Sequence, residues 1–77
     1  MSENSEIEKI ILSFSKNDWL KTAMILAETL RECDARNIET TYEEIAVKLG
    51  KLCDLKQLES RGDLANWRHS EVRLPQT

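Results

Sequence analysis

Apolar residues recur at helical spacing at the start of the chain. The first set stands at i, i+3, i+4 and i+7, which lines one face of an α-helix, and comprises Ile7, Ile10, Ile11 and Phe14. Ser5 and Glu8 have the spacing of a capping box at the start of this set. We therefore predict a first helix of about ten residues that begins at Ser5, with residues 1–4 disordered before it.

A wider apolar stripe follows and predicts the central helix. Residues 15–17 break the first pattern, and Asn17 is a residue type that caps helices. The stripe comprises Trp19, Leu20, Ala23, Met24, Leu26, Ala27 and Leu30. Because the stripe is wide, we expect this helix to contact neighbours on two sides. We predict that it ends near Cys33, with Asn37 as a left-handed stop.

The segment TTYEEIAVKLGKLCDL predicts a third helix. Thr40 or Thr41 is the expected N-cap, and Glu43 or Glu44 the glutamate that completes a capping box. The apolar positions keep helical spacing and comprise Tyr42, Ile45, Ala46, Leu49, Leu52 and Cys53. Gly50 lies within them, where glycine costs about 1 kcal/mol relative to alanine. The glycine leaves two alternatives for this segment.

In the first alternative, Ala46 and Gly50 are the small residues of a helix-turn-helix, whose second helix begins within residues 54–60. That motif has an aliphatic residue six positions after the glycine, where this chain has Lys56. In the second alternative, one helix spans residues 41–55 and a strand follows. Lys56 favours the second alternative, which makes residues 5–55 the helical part of the domain.

Alternating residues in the last third of the chain predict a β-hairpin over residues 57–75. The two strands are expected at residues 58–62 and 70–74, with a turn beginning at Gly62. The inward face comprises Leu58, Val72 and Leu74, and the outer face comprises Glu59, Arg61, Glu71 and Arg73. Opposite charges paired across the strands contribute roughly 0.2 to 1 kcal/mol each and discourage edge-to-edge aggregation. Pro75 ends the second strand, because proline has no amide donor.

Together these elements predict a single α+β domain, residues 1–77, with three helices followed by a two-stranded antiparallel hairpin. The last helix leads directly into the hairpin, which makes the predicted architecture winged-helix-like.

The segment QLESRGDLANWRHSEVRLP resembles the C-terminal signature of an uncharacterised bacterial domain family. The matching residues are Leu58, Glu59, Gly62, Asp63, Leu64, Arg68, Ser70, Glu71, Val72, Arg73 and Leu74. A looser match extends upstream through Trp19, Lys48, Leu49 and Leu52. The family pattern has a glycine where this chain has Lys56. The resemblance implies a winged-helix-like fold and brings no assigned activity, cofactor or catalytic residue.

Composition and charge bound the function. Of the 77 residues, 40% are hydrophobic and 32% are charged, so we expect one soluble domain with a single core. The net charge is -3, with an acidic excess in residues 1–47 and a small basic excess in residues 48–77. A strongly basic nucleic-acid binder would have a different composition. We predict a cytoplasmic protein with no membrane contact, because the sequence has neither a secretory signal nor a long apolar run.

The sequence has no pattern typical of an enzyme, and we predict a protein without catalytic activity or a cofactor. It contains no glycine-rich phosphate loop, no HExxH and no GxSxG. Cys33 and Cys53 lack the spacing of metal ligands, so we predict that they are reduced thiols in the core. His69 and Ser70 are adjacent, and adjacent side chains on a strand point to opposite faces, which excludes a nucleophile and base pair.

The third helix and the hairpin hold the candidate contact residues, which comprise Lys48, Lys51, Arg61, Trp67, Arg68 and Arg73. Two alternatives stay open for Trp67: a lid on the core, or an exposed anchor for a partner. We predict a protein-interaction module that binds a protein partner or self-associates. The alternative is a DNA-binding regulator that uses the third helix and the hairpin. It is disfavoured because Glu43 and Glu44, at the start of that helix, repel phosphates.

Overall fold

Three α-helices and three short strands make up the computed structural model, which describes residues 3–75 and the side chains of residues 6–75. In chain order they are α1 (Glu3–Phe14), β1 (Leu20–Lys21), α2 (Thr22–Ala35), α3 (Tyr42–Asp54), β2 (Glu59–Gly62) and β3 (Ser70–Arg73). A 3-10 helix, Trp67–His69, lies between β2 and β3. The prediction of an α+β fold with three helices followed by an antiparallel hairpin is confirmed.

The hairpin is part of a three-stranded antiparallel sheet with the order β1, β3, β2. Val72, in the central strand, lies opposite Leu20 of β1 on one side and Ser60 of β2 on the other. The prediction that Trp19 and Leu20 belong to the second helix is wrong, because α2 begins at Thr22. β3 has a second edge that a two-stranded hairpin leaves unpaired, and β1 supplies the hydrogen-bonding partner for it.

The first helix is longer than its sequence pattern predicts. It begins at Glu3, so Ser5 lies inside the helix and does not cap it. The predicted disorder of residues 1–4 stays a prediction, and residues 1–2 lie outside the described part of the chain. Glu6 lies in the first turn, where an acidic side chain interacts favourably with the helix dipole.

The end of α2 and the start of α3 agree with the sequence pattern, whereas α2 begins after Lys21 and not after Asn17. Asn37 has a φ of 59°, which confirms the left-handed stop after α2. The Thr41 side chain accepts a hydrogen bond from the Glu44 backbone N–H at 3.2 Å, which confirms the N-cap of α3. The helix then runs unbroken through Gly50, so the helix-turn-helix alternative with a helix in residues 54–60 is wrong.

A left-handed residue terminates α3. The backbone N–H of Lys56 bonds the Cys53 carbonyl and that of Gln57 bonds the Leu52 carbonyl, which is the pattern of a Schellman motif. Lys56 occupies the left-handed position of that motif with a φ of 63°. Glycine favours this conformation because it has no Cβ, which gives a physical reason for a glycine at this position in the family pattern.

We expect Lys56→Gly to stabilise the protein by about 0.5 to 1 kcal/mol, because it relieves the left-handed strain of a residue with a Cβ. Urea unfolding followed by circular dichroism measures the change. The control is Lys56→Ala, which removes the charge but keeps the Cβ and is expected to give no gain. Equal gains from the two substitutions would contradict a conformational cause.

The core joins the helices to the sheet. Its buried apolar residues are Ile7, Ile10, Ile11, Ile25, Leu26, Cys33, Ile45, Leu49, Leu52, Leu58 and Val72. The helix α2 contacts α1 and α3 and also the sheet, which confirms the prediction of a central helix with neighbours on two sides. At the sheet end of α2, the buried Ser70 hydroxyl donates a hydrogen bond to Thr22 Oγ1 at 2.8 Å. None of the helices in residues 3–75 combines the length and apolar character needed to cross a bilayer.

Candidate interaction surfaces

The outer face of the sheet is built around Trp19. The Arg61 guanidinium lies 4.5 Å from the centre of the Trp19 ring, and the Arg73 guanidinium lies 4.3 Å from it. Trp19 precedes Leu20, whose partner Val72 is buried, so the period of two places the indole on the opposite side of the sheet. Sequence reasoning assigned Trp19 to a helix and therefore missed this stack.

Both arginines of this face also bind glutamates across the hairpin. Arg61 faces Glu71 in the register and binds it at 2.6 Å, and Arg73 faces Glu59 and binds it at 2.7 Å. The alternating sequence predicted that opposite charges of this face pair across the strands, and the structure identifies the partners. The four charges sum to zero, and each guanidinium is already engaged by a carboxylate and an indole. These contacts hold β1 to the hairpin, and neither arginine of this face is left unpaired to bind a phosphate. We call this group of side chains the clasp, and it comprises Trp19, Glu59, Arg61, Glu71 and Arg73.

We expect Trp19→Leu to destabilise the protein by about 1 to 2 kcal/mol, because it removes both cation–π contacts. Chemical unfolding of the variant measures this loss. Repeating the substitution in an Arg73→Met background forms a double-mutant cycle, in which the loss caused by Trp19→Leu is expected to be smaller. An equal loss in the two backgrounds would show that the stack does not couple these side chains.

Trp67 lies elsewhere, in the 3-10 helix. It is half-buried against the core, and its ring centre is 6.2 Å from that of Tyr42 at the start of α3. The structure thus supports the lid alternative for this residue and does not bring it together with Arg61 and Arg73. Arg68, the next residue, is exposed, and its backbone carbonyl accepts a bond from Lys21 Nζ at 3.5 Å.

The helix α3 presents an exposed row of side chains at a spacing of four residues. We call this row the α3 ridge, and it comprises Glu43, Val47, Lys51 and Leu55. Val47 is 70% exposed and Leu55 is 62% exposed, although both are large aliphatic residues. The ridge lies opposite the buried side of the helix, which Ile45 and Leu49 occupy. Of the predicted contact residues, Lys51 is on the ridge and Lys48 is half-buried beside it.

Sequence reasoning identified the lysines of α3 but overlooked its exposed aliphatic residues. The signal was present, because Val47 is two residues from the core position Ile45 and so points away from it on a helix. Gly50 is also beside the ridge. A Cβ built on Gly50 meets no atom within 4 Å, so packing within the chain does not require a glycine there.

Nucleophilic and titratable side chains do not assemble into a reactive site in the part of the chain that the structure describes. Burial raises the pKa of the Cys33 thiol, and burial likewise raises the pKa of Cys53. Both are free thiols, and a raised pKa makes them poorer nucleophiles at neutral pH. Ser70 is buried and bonded to Thr22, whereas His69 is exposed. Residues 3–75 contain no cluster of three or more side chains suited to hold a metal ion.

Comparisons of the chain with family models, with curated proteins and with solved structures found no match. The resemblance to an uncharacterised bacterial family therefore stays a prediction. Function is therefore inferred from the geometry of the two exposed surfaces, the clasp and the α3 ridge.

Proposed function

We propose that this chain is a winged-helix-like protein-interaction module without catalytic activity, and that the α3 ridge is its contact surface. The order of elements supports the architecture, because a strand between α1 and α2 pairs with the hairpin that follows α3. In winged-helix domains that bind DNA, the third helix is the one that enters the major groove. The chemistry of the exposed side of α3 therefore distinguishes a DNA-binding role from a protein-binding one.

The exposure of Val47 and Leu55 is the observation that carries the proposal. Aliphatic side chains exposed on one helix face, next to charged ones, have the composition of a protein contact surface. DNA offers such residues few partners, since its surface is dominated by phosphates and polar base edges. A protein surface can bury both residues and pair the charges around them.

Electrostatics also favours a protein partner over DNA. The helix α3 carries Glu43 and Glu44 in its first turn and Asp54 at its end, and these three acids outnumber its two lysines. The hairpin does not restore a positive field, because Arg61 and Arg73 are paired with glutamates. Affinity for DNA rests on unpaired cations that displace counterions from phosphates, and this surface offers few of them.

The first test is a titration of the labelled protein with mixed-sequence duplex DNA, followed by amide resonances in NMR spectra at low and then physiological salt. We expect no shifts at the α3 ridge or the hairpin, even at low salt where electrostatic attraction is greatest. Shifts confined to Lys48, Lys51 and the hairpin that weaken steeply with salt would establish the DNA-binding alternative instead.

The second test is photo-crosslinking in cells that produce the protein. A benzophenone amino acid replaces Val47 on the ridge, and in a control variant it replaces Lys9, an exposed residue of α1. We expect protein adducts from position 47 and none of the same size from position 9. Identical adduct patterns from the two positions would show that the ridge is no preferred contact surface.

A further inference from the structure

We infer that the α3 ridge binds the same ridge of a second copy of this chain, with the two helices antiparallel about a two-fold axis at Val47. The inference rests on the proposed function and names its partner. It comes from the order of charges along the ridge, which is acidic before Val47 and basic after it. A surface of this kind is complementary to itself when it is turned around.

The spacing of the ridge residues fits such a pairing. Glu43 lies four residues before Val47 and Lys51 lies four residues after it, about 6 Å along the axis in each direction. In an antiparallel pair centred on Val47, each Glu43 faces Lys51 of the other copy, and the two valines meet between these ion pairs. A parallel pair instead places Glu43 against Glu43 and Lys51 against Lys51. The charges therefore select the antiparallel arrangement.

Gly50 provides a second, independent observation. A glycine costs about 1 kcal/mol relative to alanine inside a helix, and none of the described side chains occupies the space of its missing side chain. Gly50 adjoins Lys51 and lies four residues after Ala46, so the flank of the ridge is made of small residues. Small residues let two helix backbones approach closely, which brings the valines and the ion pairs into contact.

Leu55 lies at the edge of the contact in this arrangement. It continues the ridge four residues beyond Lys51, and in this register it lies opposite Glu39, which precedes the other copy's α3. The patch is small, since it contains two aliphatic side chains and one charge of each sign. We therefore expect weak self-association, with a dissociation constant on the order of 100 µM.

Charge reversal tests the pairing directly. Sedimentation equilibrium of the full chain from about 10 µM to about 1 mM is expected to show a monomer–dimer equilibrium. Glu43→Lys alone places two lysines together at each contact, and Lys51→Glu alone places two glutamates together. Each variant is expected to weaken self-association at least about tenfold, following the penalty of facing like charges. Lys9→Glu on α1 is the control and is expected to leave the equilibrium unchanged.

An equimolar mixture of the two single variants is the decisive sample. In the mixed dimer both contacts again pair a lysine with a glutamate, so we expect association to return to near the wild-type strength. A variant that had merely lost its fold would not regain association in the mixture. Gly50→Leu provides a separate check: leucine is a strong helix former, so α3 is retained, and its side chain is expected to weaken the dimer at least about tenfold by blocking close approach.

The outcomes separate this inference from the proposed function. A wild-type protein that stays monomeric to about 1 mM, or a mixture that fails to associate, overturns the ridge-to-ridge pairing. If the ridge also shows no shifts with DNA and gives protein adducts from position 47, the partner is another protein and the proposed function stands. Shifts of the ridge with DNA in a monomeric protein overturn both.

Discussion

Gly62→Ala is expected to destabilise the protein by about 3 kcal/mol or more, the sum of left-handed strain and a steric clash. Gly62 has a φ of 82°, and an added Cβ would lie 2.5 Å from the His69 carbonyl oxygen and 3.1 Å from Ser70 Cα. Both atoms belong to the backbone, so no rotation of a side chain relieves the contact. The strands β2 and β3 would have to separate at the pair that Gly62 forms with Ser70.

A domain of this size has a total stability of roughly 4 to 12 kcal/mol, so the variant loses a large part of it. Thermal and urea unfolding measure the change. Gly50→Ala is the matched control, because the same substitution is made where an added Cβ meets no atom within 4 Å. We expect it to stabilise the monomer by about 1 kcal/mol. If both substitutions stabilised the protein, or if both destabilised it, the proposed steric difference between the two positions would be contradicted.

Ile25→Ala has the second large expected effect, a loss of about 2 to 5 kcal/mol. Ile25 is fully buried on α2, the helix that contacts α1, α3 and the sheet. Truncation leaves a cavity that these neighbours cannot fill without shifting inward from their packed positions. The matched control is Met24→Ala on the same helix, where the residue is 43% exposed and a change within about 0.5 kcal/mol is expected.

Equal losses from the two substitutions would mean that α2 is not central. Denaturant unfolding followed by tryptophan fluorescence suits this comparison, because Trp19 reports on the outer face of the sheet and Trp67 is half-buried against the core. A cooperative protein gives one transition for both variants.

Local patterns were sufficient to predict most of the fold. The cap at Thr41 and the left-handed Asn37 were predictable because each depends on bonds within a few residues. The pairing of Arg61 with Glu71 followed from the period of two, once the turn between the strands was placed. These features depend on short stretches of chain and on the sign of charges.

The strand β1 could not be predicted in the same way. Its two residues carry no periodic signal, and Leu20 also fits the apolar stripe of the following helix. It is a strand because β3, about fifty residues later, offers it an unpaired edge. The stack on Trp19 depends on the same long-range pairing, so the clasp was beyond local sequence reasoning.

The candidate site was predictable only in part. Lys51 was predicted from its charge, whereas Val47 is uncharged and was not among the predicted contact residues. Helical periodicity alone places Val47 opposite Ile45, so its exposure could have been predicted. The sequence also shows that an acidic residue lies four positions before Val47 and a basic residue four positions after it. The tertiary structure was needed to determine whether another part of the chain covers the ridge.

The position of β3 in the sheet has a consequence for how the protein folds during its synthesis on the ribosome. The central strand follows both of its partners in the chain, and both β1 and β2 depend on it for their hydrogen bonds. The helices can collapse as they emerge, but the sheet must wait until β3 has been synthesised. A product that stops before Ser70 would expose two unpaired strands, the kind of surface that chaperones and proteases act on. The sheet thus makes a stable fold conditional on translation through its last strand.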